Sequence, residues 1–171
     1  MRILAISGSL RAASTNTTLL KAAAALAPED VTLNVYDGIG DLPHFNPDLD
    51  TDPPRAPVDE FRFQLRKSAG VIISSPEYAH GVPGVLKNAL DWLVASGELY
   101  EKPVALFSAS PRANYAQASL LETLTVMTAK VVSGACVVLP LLGKTSMKTE
   151  SSLTRIFPTP FAPHSSPLQT Q

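Results

Sequence analysis

Cysteine is almost absent: Cys136 is alone in 171 residues. No disulfide can close within the chain. Its place in an apolar run reads as a small buried hydrophobe, with a catalytic thiol as the alternative. Long apolar runs are missing too, so no membrane span is expected. Met1 leads directly into the first apolar run with no leader pattern ahead of it, so a cytoplasmic setting is expected. Charge is sparse at 17% of residues, and the net charge is −1. No basic stripe is available for nucleic acid, and weak colloidal repulsion is compatible with self-association. His44, His80 and His164 stand apart from one another, and no cluster of His, Cys and Asp has the spacing of a metal site.

Glycine is scarce where several phosphate-binding loops need it. A dinucleotide turn requires three glycines as G-x-G-x-x-G. Gly8 stands alone, with Leu10 and Ala13 at the other two positions. Gly143-Lys144-Thr145 imitates the end of a P-loop, but the leading glycine would fall at Val138, inside an expected strand. A phosphatase cradle needs a thiol after the first strand, and none is there. A phospho-acceptor domain needs an aspartate closing the third strand, where Ser74 and Ser75 stand.

What is present is a globular composition, 45% hydrophobic, in a chain long enough to bury roughly 70% of its unfolded surface as one domain. Arg2 to Ser7 is a short apolar run, the pattern of a strand buried on both faces of a parallel sheet. A polar loop follows, then a helix over about 16–26 that stops before Pro28. Further strands are expected at 31–36, 70–75, 103–108 and 131–139. Helices are expected at about 58–68, 85–95 and 116–129. Val58, Phe61 and Leu65 share one face of the second helix. Leu86, Leu90 and Leu93 or Val94 share one face of the third. Residues 37–57 form a loop long enough to suggest a function.

Five strands alternating with helices predict a doubly wound α/β fold with parallel strand order 2-1-3-4-5. The loops after strands one and three, residues 8–16 and 76–84, then meet over the crevice where open α/β sheets bind ligands. After the fifth strand only about two turns of helix fit. A Ser/Thr/Pro-rich tail over 146–171 follows a domain of 1–145. One sheet face would need Phe157 and Phe161 of that tail, or a partner subunit, to cover it.

The first loop aims a helix N-terminus at that crevice. Ser9, Ser14 and Thr15 offer hydroxyls, Asn16 an amide and Arg11 a guanidinium, a donor set for a phosphate. The plainer reading is that Ser14 or Thr15 caps the helix and Arg11 is a solvated cation. The second loop, Pro76-Glu77-Tyr78 followed by Gly81 and Pro83-Gly84, offers rigid backbone donors beside an aromatic, as a flat heterocycle requires. Its plainer reading is a structural turn.

Gly8-Ser9-Leu10-Arg11-x-x-Ser14-x-Asn16 resembles the G-S-x-R-x-x-S-x-N phosphate loop of the NADPH-dependent FMN reductases. Pro76-Glu77-Tyr78 with Pro83-Gly84-Val85-Leu86-Lys87-Asn88-Ala89-Leu90-Asp91-Trp92 resembles that family's P-E-Y-N-x-x-x-P-G-x-L-K-N-A-I-D-W stretch. The resemblance spans about residues 1–143. It implies a flavodoxin-like three-layer sandwich, bound FMN, NADPH as hydride donor and a homodimer or homotetramer. Carried over by position, Ser9, Arg11, Ser14, Thr15 and Asn16 would hold the FMN phosphate. Pro76, Glu77, Tyr78, Ala79, His80 and Gly81 would line the isoalloxazine, largely through main chain. Ser110, Pro111 and Arg112 would close its other edge, and Arg11 or Arg112 would also meet the NADPH 2′-phosphate.

Two departures stand out. Ala79 replaces the family's Asn, with His80 beside it, and the C-terminal helix gives way to the tail. Trp92 and Leu90 are expected in packing, and Lys87 with Asp91 in an (i, i+4) pair or an interface. The implied chemistry is hydride transfer to flavin N5 with no side-chain base, then electron transfer to free flavin, a quinone, an azo compound or a metal oxyanion. A flavodoxin-type electron carrier is the main alternative, and −1 is a weak charge for one. A truncated, inactive relative is a further alternative.

Overall fold

β1 (Arg2–Ser7) is an interior strand of the sheet. It pairs in parallel with β2 (Thr32–Tyr36) on one side and β3 (Gly70–Ser74) on the other, so that Ile3 faces Leu33 and Gly70 in register. β3 pairs with β4 (Pro103–Ser108), and the order β2-β1-β3-β4-β5 is the expected one. The computed structural model describes residues 1–139. Residues 140–145, the tail and the expected shortened C-terminal helix lie outside them, as do Phe157 and Phe161.

Alternate residues of the central strands bury on opposite faces, the period-2 signature of a sheet covered on both sides. Leu4, Ile6, Val71, Ile73, Val104 and Leu106 pack against α2 (Ala56–Arg66), α3 (Gly84–Asp91) and α4 (Asn114–Val126) through Phe61, Leu65, Leu86, Leu90, Leu120 and Leu124. Ile3, Ala5, Ile72, Ala105 and Phe107 face α1 (Thr15–Ala25) through Leu19, Leu20 and Ala23.

The expected continuous fifth strand is broken. Lys130–Val131 (β5) and Val137–Val138 (β6) both pair with β4, and Ser133–Ala135 forms a 3-10 turn between them. The sheet therefore has six strands rather than five. Five residues lie between Val131 and Val137 where two lie between their partners Val104 and Phe107. Ser133 and Gly134 are poor strand formers, and the extra residues leave the ladder as a bulge. The bulge turns Ala135 into the core and Cys136 out to solvent, contrary to the buried cysteine expected. The Cys136 sulfur accepts the Leu106 amide at 3.4 Å.

α3 is shorter than its apolar spacing suggests. Trp92 to Ser96 run as turns, with Leu93 buried and Val94 exposed. The long loop is not irregular throughout: Gly38–Asp41 and Pro47–Leu49 are 3-10 turns, and Ile39 and Leu42 reach the α2-side core. Arg62, in the middle of α2, is buried because its Nη2 lies 2.9 and 3.1 Å from the two Asp50 oxygens and 2.6 Å from the Trp92 carbonyl. That pairing satisfies a charge that burial would otherwise penalise by several kcal/mol.

Candidate functional site

Each central strand ends in serine, and each serine shapes the loop that follows. Ser7 Oγ is 2.8 Å from Thr17 Oγ1, on the first turn of α1. Ser74 is fully buried and donates to Asn16 Oδ1 at 3.0 Å. Ser108 donates to the Ser110 carbonyl at 2.7 Å. A Cβ at Gly8 would lie 3.0 Å from a Leu86 methyl and 3.1 Å from Ser75 Oγ. Glycine therefore lets the end of β1 close against α3 and β3.

Ser14 has extended backbone and is the N-cap of α1, its Oγ accepting the Thr17 amide at 3.4 Å. The amides of Thr15 and Asn16, the first two helical positions, have no intrahelical acceptor. No acidic residue lies in this first turn, so the positive end of the helix is uncompensated. Asn16 is buried, and with Oδ1 taken by Ser74 its Nδ2 is left to donate. Thr15 and Asn16 share a cavity of about 370 Å³ with Ser75, Pro76, Glu77, Ser110 and Arg112. The loops after β1, β3 and β4 therefore converge at the switch point, as the strand order requires.

Apart from Ser14, the α1 cap, the sequence-predicted residues divide into three groups. Thr15, Asn16, Pro76, Glu77, Ser110 and Arg112 line that cavity. Ser9 and Arg11 line a second, also about 370 Å³, between the ends of β1 and β2, with Lys21, Tyr36 and Asp37. Tyr78, Ala79, His80 and Gly81 form a tight hairpin at the rim. The Tyr78 and Gly81 backbones exchange two hydrogen bonds, at 2.9 and 3.1 Å. Ala79 and His80 have φ of 49° and 62°, the left-handed pair of a type I′ turn. Arg11 and Arg112 sit on matching Ser-x-Arg turns, their amides donating to Ser9 Oγ at 3.3 Å and Ser110 Oγ at 3.2 Å. Both side chains are exposed and neither is in an ion pair among the described residues.

Glu77 has a role that the motif does not announce. Its Oε2 accepts the Ala116 amide at 2.9 Å and caps α4 from another loop. α4 has no side-chain cap of its own and begins two residues before the expected 116. His80 stacks on Tyr115 with ring centroids 4.1 Å apart and planes 20° from parallel. Tyr115, Ser74 and Ser108 were not among the expected site residues. A serine closing each apolar strand run was the signal for the last two. Nothing in sequence pairs Tyr115 with His80. Two larger cavities, of about 440 and 510 Å³, lie between α3 and α4 and between β2 and α2. Neither reaches the switch point.

The donor set of the shared cavity fits a phosphate, with helix amides, a carboxamide and Arg112 lining it. Its one carboxylate is occupied with α4. The cavity walls of residues 75–77 and 109–113 fit a flat ring held mostly by backbone.

The sequence pattern of the family described as NADPH-dependent FMN reductase matches residues 1–141. A 2-hydroxy-1,4-benzoquinone reductase from a Burkholderia species is 44% identical over 92 residues, covering 54% of this chain and 49% of that protein. A quinone reductase from Pseudomonas putida is 40% identical over 111 residues, covering 62% and 58%. The chain thus spans about half to three-fifths of the length of these curated relatives. Among solved structures, FerB, a flavoenzyme NAD(P)H:(acceptor) oxidoreductase from Paracoccus denitrificans, is 33% identical. It superimposes with a TM-score of 0.70 over 77% of this chain and 75% of that one. An oxidoreductase from Corynebacterium diphtheriae shares the fold at a TM-score of 0.67 and 20% identity, over 91% of each chain.

Proposed function

The chain belongs to the NADPH-dependent FMN reductase family, and on that footing we propose that it is an FMN-dependent NAD(P)H oxidoreductase whose acceptor is a quinone. The observation that carries the reading is the convergence of three loops and an uncompensated helix N-terminus on one cavity at the switch point. FMN, when bound, would supply the two-electron redox chemistry between reduced nicotinamide and the acceptor. The chain's own residues bind and orient. The amides of Thr15 and Asn16 and the Asn16 Nδ2 hold the phosphate, with Arg112 neutralising it from the facing loop. Ser14 fixes the helix start and Ser74 fixes the Asn16 carboxamide. The backbone of residues 76–81 would line the ring edge, while the Glu77 carboxylate is engaged by the Ala116 amide. No side-chain base is needed.

The quinone acceptor is supported by the names and identity of the relatives. A second copy of the chain is the partner we propose, docking along the apolar groove between α3 and α4, where Val94, Tyr100 and Val126 are exposed. No helix among the described residues is long and apolar enough to cross a membrane. Dependence on NADPH favours the cytoplasm, where that donor is regenerated.

Purified protein is expected to be yellow, with a flavin absorbance band, and to oxidise NADPH when a quinone is added. Colourless protein that neither takes up FMN nor oxidises NADPH overturns the reading. FMN bound without NADPH oxidation would instead leave an electron carrier. Comparing FMN with riboflavin in Arg11→Ala and Arg112→Ala tells which arginine meets the phosphate. We expect Arg112→Ala to lose FMN affinity by about tenfold with riboflavin little changed, on the order of one charge-assisted hydrogen bond. Equal losses for the two flavins would remove Arg112 from the phosphate.

A further inference from the structure

The rim of the shared cavity carries aromatic surface that is not part of the cavity's lining. Tyr78 and Tyr115 are 57% and 60% exposed, and His80, also exposed, lies flat on Tyr115. The stack joins two walls. Glu77 and Ala113 line the cavity, and His80 and Tyr115 follow them by three and two residues. Two features hold the pair in place. The hairpin puts His80 at its tip in left-handed backbone, disfavoured for a residue with a Cβ. The Glu77 carboxylate, one residue before the hairpin, is tied to the first turn of α4 one residue after Tyr115. A strained turn maintained at a cavity mouth is a reason to look for a role there.

We propose that the His80–Tyr115 stack is an aromatic shelf that seats the flat ring of the acceptor at the cavity mouth, with Tyr115 the specificity-determining residue. The inference rests on the function proposed above. A stacked pair whose two members are both exposed offers offset stacking to a planar, electron-poor ring such as a quinone. A small inorganic acceptor has no π-face and gains nothing from it. The shelf therefore discriminates among acceptors without touching hydride delivery.

The test uses the FMN-loaded full chain with NADPH, 1,4-benzoquinone and ferricyanide. The readout is the ratio of kcat/KM for the quinone to that for ferricyanide in wild type, Tyr115→Leu and Tyr115→Phe. Tyr115→Leu is expected to lower the ratio by about threefold to tenfold, the range of one aromatic pair, through KM for the quinone. Tyr115→Phe, which keeps the ring, is expected to restore it. An unchanged ratio in the Leu variant, or an equal fall for both acceptors, overturns the shelf. So does a change in sedimentation with the ratio intact, which assigns the aromatic rim to a subunit contact. Failure of the FMN-loaded wild type to oxidise NADPH with either acceptor overturns the proposed function and the shelf with it. An active wild type with an unchanged ratio overturns the shelf alone.

Discussion

Ala79 and His80 carry positive φ in a chain whose family places Asn at the first of these positions. Asn tolerates left-handed backbone better than Ala because its short polar side chain can bond locally. Ala79→Asn is therefore expected to stabilise the protein, by up to about 1 kcal/mol, read as a higher denaturation midpoint. A lower midpoint would mean that the turn is not strained at this residue. Tyr36 is the residue whose titration should be felt. Burial, then the carboxylates of Glu60, Asp41 and Asp37, push its hydroxyl up to about 12. The folded protein keeps a proton that the unfolded chain releases near about pH 10. This contribution is full below about pH 10 and is lost as pH rises towards 12. The thermal midpoint of the wild type should fall more steeply over that window than that of Tyr36→Phe. Parallel slopes would count against it. Arg62 shows why single residues were only partly legible: the apolar face of α2 is visible at Val58, Phe61 and Leu65, but a buried arginine is intelligible only once Asp50 and the Trp92 carbonyl are beside it.

At the scale of elements, α3 assigns roles that its motif left open. Asn88 accepts the Phe45 amide at 2.7 Å and donates to the Pro43 carbonyl at 3.0 Å, and Trp92 Nε1 donates to the same carbonyl at 2.8 Å. The Trp92 and Phe45 rings meet edge-on at 5.1 Å. These residues hold the long loop onto the fold, and the loop in turn places Gly40 against a methyl of Leu10 in the first loop. Lys87 and Asp91 make the expected (i, i+4) pair, half and about a third exposed, worth a few tenths of a kcal/mol. Asn88→Ala leaves the Phe45 amide without its acceptor and should cost about 1–3 kcal/mol in a urea titration. Asn88→Asp, which keeps an acceptor, should cost less, and equal costs would argue against the Phe45 bond as the cause. The start of α4 belongs to the same class of fact. No capping residue precedes it in sequence, and its cap arrives from Glu77, 39 positions earlier.

For the whole molecule, the groove between α3 and α4 is the surface on which a second copy is proposed to dock. Val126 is 73% exposed there, so Val126→Asp should leave the fold intact while dissociating the proposed dimer, seen as monomer by sedimentation. A wild type that is itself monomeric removes the proposal. Strand order and the meeting of the first and third loops followed from sequence alone. Apolar periodicity and right-handed crossovers are local or chiral constraints that each segment carries by itself. The start of α1 was equally plain, because Ser14 caps its own helix three residues away. Only the tertiary structure separated Arg11 from Arg112, broke the fifth strand, tied Asn88 to the long loop and stacked His80 on Tyr115. Each of these depends on groups distant in sequence brought within a few ångströms, or on side-chain directions that the packed neighbours decide. A one-dimensional pattern carries no record of either.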